Sequence, residues 1–420
     1  MGNSVIAKLI SFLRRNLRGS KKGCINKLYF LFRIFFARKL GLYPFPIRNE
    51  IGSIKEVLIS GNWNTTYSLN TKVVETEENF SNYLDIKHCI LVPSGGVGIE
   101  ILMRLMKVNS SSVTCNHIRH ICPATPFSIL RAGVAPIPTN PSRNPFCLPS
   151  SIFKEASKDN LVLSSHLWGY PEDIRPYISD YLIEDSCLSF ESYFPDGRHV
   201  GTLGKAGVFS FGCLKPIQAG EGGLICTNDD SLAREIRIMQ NYANEVKITG
   251  SNDVKRFGLN GRISCLSSAI ICEQLKNYKE YVNKVRKGVK NIKNEIEKRN
   301  LPLNVYIPKN YKIEDLGFSS VLIEVGPNIY KKLLIELSKN GIETIPTFFD
   351  DLFTLTYFQK DILNELNKKQ KEIYLSNFLD SNKYRYPERF ISISRRWIAN
   401  SFMRKIFLNA LYKSLDTISG

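Results

Sequence analysis

Residues 207–223, GVFSFGCLKPIQAGEGG, join an apolar run to one lysine and a turn dense in glycine. Val208 to Phe211 has the length and composition of a buried strand. Lys215 stands just past the strand end, ahead of Gly220, Gly222 and Gly223. A lysine held among Phe209, Phe211, Cys213 and Leu214 is expected to be partly desolvated, which favours the neutral amine. A neutral amine is what a Schiff base with a carbonyl cofactor requires. The other reading is a strand ending in a solvated surface lysine, the usual condition of that residue type.

The surrounding chain has room for such a site. Its 420 residues suffice for one large or two ordinary domains, and 43% apolar with 23% charged residues is ordinary for a globular protein. The ten cysteines include no CxxC pair, and most sit in apolar runs, which suits buried thiols in a reducing, intracellular compartment. The net charge of +18 is uneven, because residues 1–45 carry ten Lys and Arg residues and no acid. It therefore speaks for a local basic segment and not for nucleic-acid binding by the whole protein. In that segment Arg33 breaks the longest apolar run, which is far short of the roughly 20 residues that span a bilayer. Basic residues interleaved with Phe and Leu suit an amphipathic helix on an anionic membrane surface, or equally a helix on the protein's own body or a loose tail.

Downstream, CILVPSGGVGIEILMRLM at 89–106 reads as a strand, a turn at Ser94-Gly95-Gly96, and a helix with Ile99, Leu102 and Leu105 on one face. A glycine turn at a helix N-terminus offers free N–H groups that suit a phosphate. Cys115, His117, His120 and Cys122 would alternate faces in an extended chain, so no metal site is expected from them. YLIEDSCLSFES at 181–192 is an apolar strand ending in two acids, Glu184 and Asp185, and ligands bind at such strand ends in parallel sheets. A solvated strand end is the competing reading, and it is the one adopted for Glu184. Residues 264–298 carry Ile271, Leu275, Tyr278, Val282, Val285, Val289 and Ile292 at helical spacing, as one long helix. Strand-like and helical runs then alternate to the end.

The pattern FSF-x-x-x-K-x-x-x-x-GEGG around Lys215 resembles the cofactor-lysine segment of the DegT/DnrJ/EryC1/StrS family, sugar aminotransferases of fold-type I that depend on pyridoxal 5'-phosphate (PLP). Segments near 94, 125, 166, 185, 215 and 260 follow that family in order over about residues 55–300. The resemblance implies an α/β fold with a large doubly wound, mostly parallel sheet and a smaller C-terminal α+β domain. The domains expected are a basic extension at 1–50, a PLP-binding domain at 51–290 and a small domain at 291–420.

For the site, the resemblance implies Lys215 as Schiff-base lysine and proton carrier, and Asp185 as partner of the pyridine nitrogen. Gly95, Gly96 and Ser210 would bind the cofactor, Phe127 would stack on its ring, and His166 would act structurally. Asn260 would reach the phosphate in a partner subunit, which implies a homodimer with shared sites, while Arg262 beside it could equally be a surface ion-pair arginine. Glutamate or glutamine would donate the amine and a ketosugar, nucleotide-linked, would accept it. Lys215 also sets the chain apart from the family's dehydratase branch, which has histidine there. Two departures stand out: Gly96 replaces the family's threonine, and Leu188 replaces a Gln or His. With the unusual last 40 residues, they leave two further readings open. One is a PLP enzyme of the same fold with another substrate or reaction, and the other a non-catalytic protein acting at a membrane surface.

Overall fold

The apolar runs that begin at His88, Leu161, Leu182, Ala206 and Gly223 are too uniformly apolar for a sheet with one wet face. In the computed structural model they become strands covered on both sides. The structure describes residues 49–419, apart from 64–70, 107–111, 116–120, 138–159, 245–253, 255, 343, 346–351, 353–356 and 382–389. All of the described residues belong to the compact unit Ile47–Gly420. The basic segment 1–45, with its expected membrane-surface helix, and His117 and His120 lie outside the described residues.

The first sheet contains β1 (His88–Val92), β2 (Ser112–Cys115), β3 (Ala135–Ile137), β4 (Leu161–Ser165), β5 (Leu182–Asp185), β6 (Ala206–Ser210) and β7 (Gly223–Thr227). Their order is β1-β7-β6-β5-β4-β2-β3. The pairs β3–β2, β2–β4, β4–β5 and β5–β6 are parallel, while β7 runs antiparallel to both β6 and β1. The sheet is therefore mostly parallel, with one reversed strand.

Its helices are α1 (Glu50–Ser60), α2 (Lys72–Leu84), α3 (Gly95–Met106), α4 (Ala124–Arg131), α5 (Asp230–Gln240) and α6 (Cys265–Lys298). Helix α6 begins at an N-cap, Ser264, whose hydroxyl accepts from the Leu266 N–H. Its apolar stripe, Ile271 to Ile292, is buried as the spacing implies. The first half of α6 packs on α1 and α2, whereas Val285 to Ile296 joins the core of a second sheet.

That second sheet is antiparallel, in the order β10-β11-β9-β8, from β8 (Leu303–Val305), β9 (Ser320–Val325), β10 (Thr344–Ile345) and β11 (Phe390–Ser394). In the same part of the chain come α7 (Pro327–Lys339), α8 (Ile362–Glu365), α9 (Lys368–Ser381), α10 (Arg395–Ala399) and α11 (Ser401–Ser419). Leu333, Leu337, Phe407 and Leu411 cover this sheet. Leu352, Phe358, Ile362, Leu366 and Tyr374, though late in the chain, pack instead into the core of the first sheet. Among the described residues, no helix is long and apolar enough to cross a membrane.

Candidate active site

Asp185 is the last residue of β5, paired in parallel register with Val208 of β6. The loop that leaves β6 with Lys215 therefore starts at the sheet end where Asp185 lies. β1 points the same way, since both it and β6 are antiparallel to β7. The turn after β1 arrives at the same place. A β-carbon built on Gly95 would lie 2.8 Å from Cys187 Sγ and 2.9 Å from Ser210 Cβ, so only glycine fits the contact between this turn and the ends of β5 and β6.

The start of α3 is well made. Ser94 Oγ accepts from the Val97 N–H at 3.1 Å, and Ser94 O accepts from Gly98 N at 3.0 Å. The N–H groups of Gly95 and Gly96, in the first helical turn, have no intrahelical acceptor and face a positive dipole end suited to a phosphate. At Gly96 a β-carbon would meet Ser128 Oγ at 3.0 Å. That hydroxyl thus borders the space that a threonine side chain would enter.

Asp185 is 5% exposed. Its Oδ1 accepts from the Cys187 N–H at 3.2 Å, and its Oδ2 receives longer bonds from Thr125 Oγ1 at 3.4 Å and Ser165 Oγ at 3.5 Å. A buried carboxylate held by these few long bonds keeps acceptor capacity for a cationic N–H. Lys215 is half-buried, and among the described residues no partner engages its Nζ. Its Cγ lies 3.8 Å from a β-carbon built on Gly212, at the same distance as Glu221 Oε2 and Ser210 Oγ. Asp185 and Lys215 both act on the Cys187 thiol, which burial pushes well up, Asp185 raises further and Lys215 pulls back. Both charges therefore act on the same thiol.

Three expectations need correction or refinement. Glu184 is not a solvated strand end but fully buried. Its Oε1 accepts from the N–H groups of Leu203 and Gly204 at 2.6 and 2.7 Å, and its Oε2 from Gly201 N at 2.7 Å and His166 Nε2 at 3.1 Å. His166 Nδ1 accepts from the Glu172 N–H at 3.0 Å, which leaves the proton on Nε2 for Glu184. Burial pushes the Glu184 carboxyl up, yet the hydrogen bonds from His166 and from the backbone N–H groups outweigh it and hold the group below the usual carboxylate range. His166 is thus structural. Next, Cys213 and Leu214 do not wall in Lys215: both are exposed, Leu214 by 80%, because the loop turns them to solvent, and only Phe209 and Phe211 are buried. Finally, Phe127 is half-buried on α4, stacked on Phe358 at 5.5 Å between centroids and edge-on to Tyr357 at 5.3 Å.

Leu188 is half-buried against the first core. Asn260 lies on an exposed stretch before α6, where its carboxamide oxygen accepts from Arg262 Nη2 at 3.1 Å. Arg262 also bonds the Tyr242 hydroxyl at 3.0 Å and covers that ring at 4.5 Å. Gly95, Ser210, Asp185 and Lys215 therefore cluster, with Thr125 reaching in from α4, while Asn260 faces outward. Among the described residues, no group of three or more His, Cys, Asp or Glu could hold a metal ion.

The residues present fit PLP: a glycine cradle at a helix start for the phosphate, a buried acid with spare acceptor capacity for the ring nitrogen, and a lysine. Sequence reasoning passed over Arg395 and Gln218, which bond the carbonyl oxygen of Lys215 at 3.1 and 2.9 Å. No local pattern flags them.

Comparison with known proteins identifies the family and the fold. A model of the DegT/DnrJ/EryC1/StrS aminotransferase family matches residues 47–375. Among solved structures, the aminotransferase from Psychrobacter cryohalolentis superposes with a TM-score of 0.74 at 16% identity, covering 90% of this chain and 99% of that one. Helicobacter pylori PseC, an aminotransferase of pseudoaminic acid biosynthesis, gives 0.70 at 18% identity, covering 88% and 97%. NtdA from Bacillus subtilis, solved with bound cofactor PMP, gives 0.67 at 18% identity, covering 88% and 81%.

Proposed function

Because the chain belongs to the DegT/DnrJ/EryC1/StrS aminotransferase family, a family that uses PLP, we propose that it moves an amino group from glutamate or glutamine to a nucleotide-linked ketosugar. The observation that carries the site assignment is the packing of the Gly95 turn on Cys187 and Ser210, next to Asp185 at the end of β5 and to the loop that carries Lys215 away from β6.

When bound, PLP supplies a carbonyl that carries the amine and a ring that withdraws electrons. In the proposed mechanism the N–H groups of Gly95 and Gly96 and the Ser210 hydroxyl bind the phosphate. Asp185 holds a proton on the pyridine nitrogen, and burial makes that ion pair stronger than it would be in water. Thr125 and Ser165, bonded to Oδ2, orient the carboxylate. Lys215 Nζ would hold the cofactor's carbonyl carbon and, as a free amine, would serve as the base and then the acid that carries the proton of the donor's Cα. Phe127, on the helix that sends Thr125 to Asp185, is assigned to the ring by aromatic contact. Leu188 places an apolar group where the family has a polar one, so orientation falls to Asp185 and the phosphate cradle.

The exposed position of Asn260 suits a role toward a second copy, with a homodimer as the working unit. We place the enzyme in the cytoplasm, with residues 1–45 as the part suited to an anionic membrane surface. The test is amine transfer from glutamate or glutamine to a panel of nucleotide-linked ketosugars, read by product mass. A product heavier than the ketosugar, by the exchange of the ketone oxygen for one nitrogen and three hydrogens, supports the reading. Loss of amine from the donor with no sugar accepting it would remove the substrate class.

A further inference from the structure

The Lys215 backbone is fixed from far along the chain. Arg395 opens α10 directly after β11, the strand between β10 and β9, and is only 4% exposed. Its Nη2 donates to the carbonyl oxygens of Lys215 at 3.1 Å and Pro216 at 2.9 Å, and its Nη1 donates to the Tyr278 hydroxyl at 2.9 Å. Its guanidinium lies 5.5 Å from the Tyr281 ring centroid and 6.0 Å from that of Tyr278. Among the described residues no carboxylate pairs with it.

A buried guanidinium with only neutral acceptors is an expensive way to fill space, and an apolar side chain of similar volume would pack at less cost. What the planar fork adds is direction, because its donors diverge at fixed angles. Here they seize two successive carbonyl oxygens. Between them sits Pro216, whose ring fixes φ and keeps the preceding residue, Lys215, out of the helical region. The two clamped peptide planes flank Pro216, and on the other side the Lys215 N–H donates to Gly212 O at 3.0 Å, so the planes before and after the lysine are both held. Gln218 completes the clamp: its Nε2 bonds the same Lys215 oxygen at 2.9 Å. Gln218 is itself held by Gln274 of α6, through bonds of 2.9 and 2.7 Å.

We propose that Arg395 is a positioning residue for the reaction, which aims the Lys215 amine by holding the carbonyl oxygens of Lys215 and Pro216 from the end of β11. The proposal rests on Lys215 being the cofactor lysine. The second sheet is thus tied to the chemistry by one side chain. Small errors in such aim are costly, since a displacement of about 1 Å in a reacting group can lose about 100-fold in rate.

The test uses the full chain with Arg395→Lys, Arg395→Met, Tyr278→Phe and Lys215→Ala. Three quantities are measured on each: the melting temperature without cofactor, the fraction of Lys215 captured by PLP and borohydride, and the maximal donor half-reaction rate against half-saturating donor concentration. Arg395→Lys keeps the charge and loses the fork. It is expected to melt near the parent, with a lower captured fraction and a rate down by about tenfold or more at unchanged half-saturation. Tyr278→Phe, which frees one arm of the guanidinium without opening a cavity, should move the same way by less. If Arg395→Met does not fold, these two variants decide. A lower melting temperature with parental capture and rate would overturn the proposal and leave Arg395 a packing residue. Capture that persists in Lys215→Ala would instead remove the assignment of the lysine, a distinct failure.

Discussion

Adding one methyl group at Gly95 should injure cofactor binding far more than adding one at the neighbouring Gly96. In Gly95→Ala the new carbon would sit 2.8 Å from Cys187 Sγ and 2.9 Å from Ser210 Cβ, with Phe209 O at 3.4 Å. None of these atoms can swing aside freely: two belong to the ends of packed strand and loop segments, and Cys187 is buried. The turn must therefore move by several tenths of an ångström, which for overpacking in a tight core costs about 1–3 kcal/mol. The displaced turn carries the N–H donors assigned to the phosphate, and losing one hydrogen bond to a charged group costs about 1.5–3 kcal/mol, or roughly 10- to 150-fold in affinity. In Gly96→Ala the one close contact is Ser128 Oγ at 3.0 Å, a side-chain end that need give by only a few tenths of an ångström and can keep its 2.7 Å bond to Ala124 O, so the loss should be clearly smaller. The assay is an absorbance titration of cofactor-free protein with PLP, alongside thermal melts. Equal affinities and stabilities for the two alanine variants would refute both the packing argument and the cradle.

Asp185→Asn should leave the melting temperature near that of the parent but weaken the donor half-reaction by about 2–5 kcal/mol, the cost of removing one partner from a buried charge pair, as read by single-turnover kinetics. Glu184→Gln should destabilise the fold by about 3–5 kcal/mol in denaturant titrations, because an amide NH2 must then face backbone donors around a fully buried group. Glu184 also predicts a pH dependence. Its folded carboxyl lies below the ordinary value of 4.5, so its stabilisation is fully present above that value and is lost as pH falls through the lower folded one. The parent should lose stability in that acid window, and Glu184→Gln should lose less there.

The first sheet was legible because its strands are buried on both faces and read as continuous apolar runs, and α6 because its stripe keeps helical period over its whole length. Lys215, Asp185, Gly95 and Ser210 were legible only together, as segments in a fixed order, since each alone matches an ordinary strand end or turn. The mistakes have a common physical origin. Glu184 reads as solvated from local sequence because its partners, the 201–204 backbone and His166, come from other stretches of the chain. Cys213 and Leu214 were expected around Lys215 because residue type does not reveal that a loop turns its apolar side chains outward. Arg395 escaped notice for the strongest version of the same reason: its acceptors lie 180 and 179 residues away, in a part of the chain that follows no family pattern. Likewise, nothing local to Phe127 foretells that Phe358 covers one face of its ring.

The central claim, that Lys215 carries the cofactor of an aminotransferase, is tested most directly by borohydride reduction of the PLP-treated protein followed by peptide mapping, with visible spectra before and after adding glutamate or glutamine. The expected result is a visible band that fades with the donor, a reduced adduct on Lys215, and loss of both band and adduct in Lys215→Ala. A protein that stays colourless with added PLP, or an adduct found on a different lysine, would contradict it.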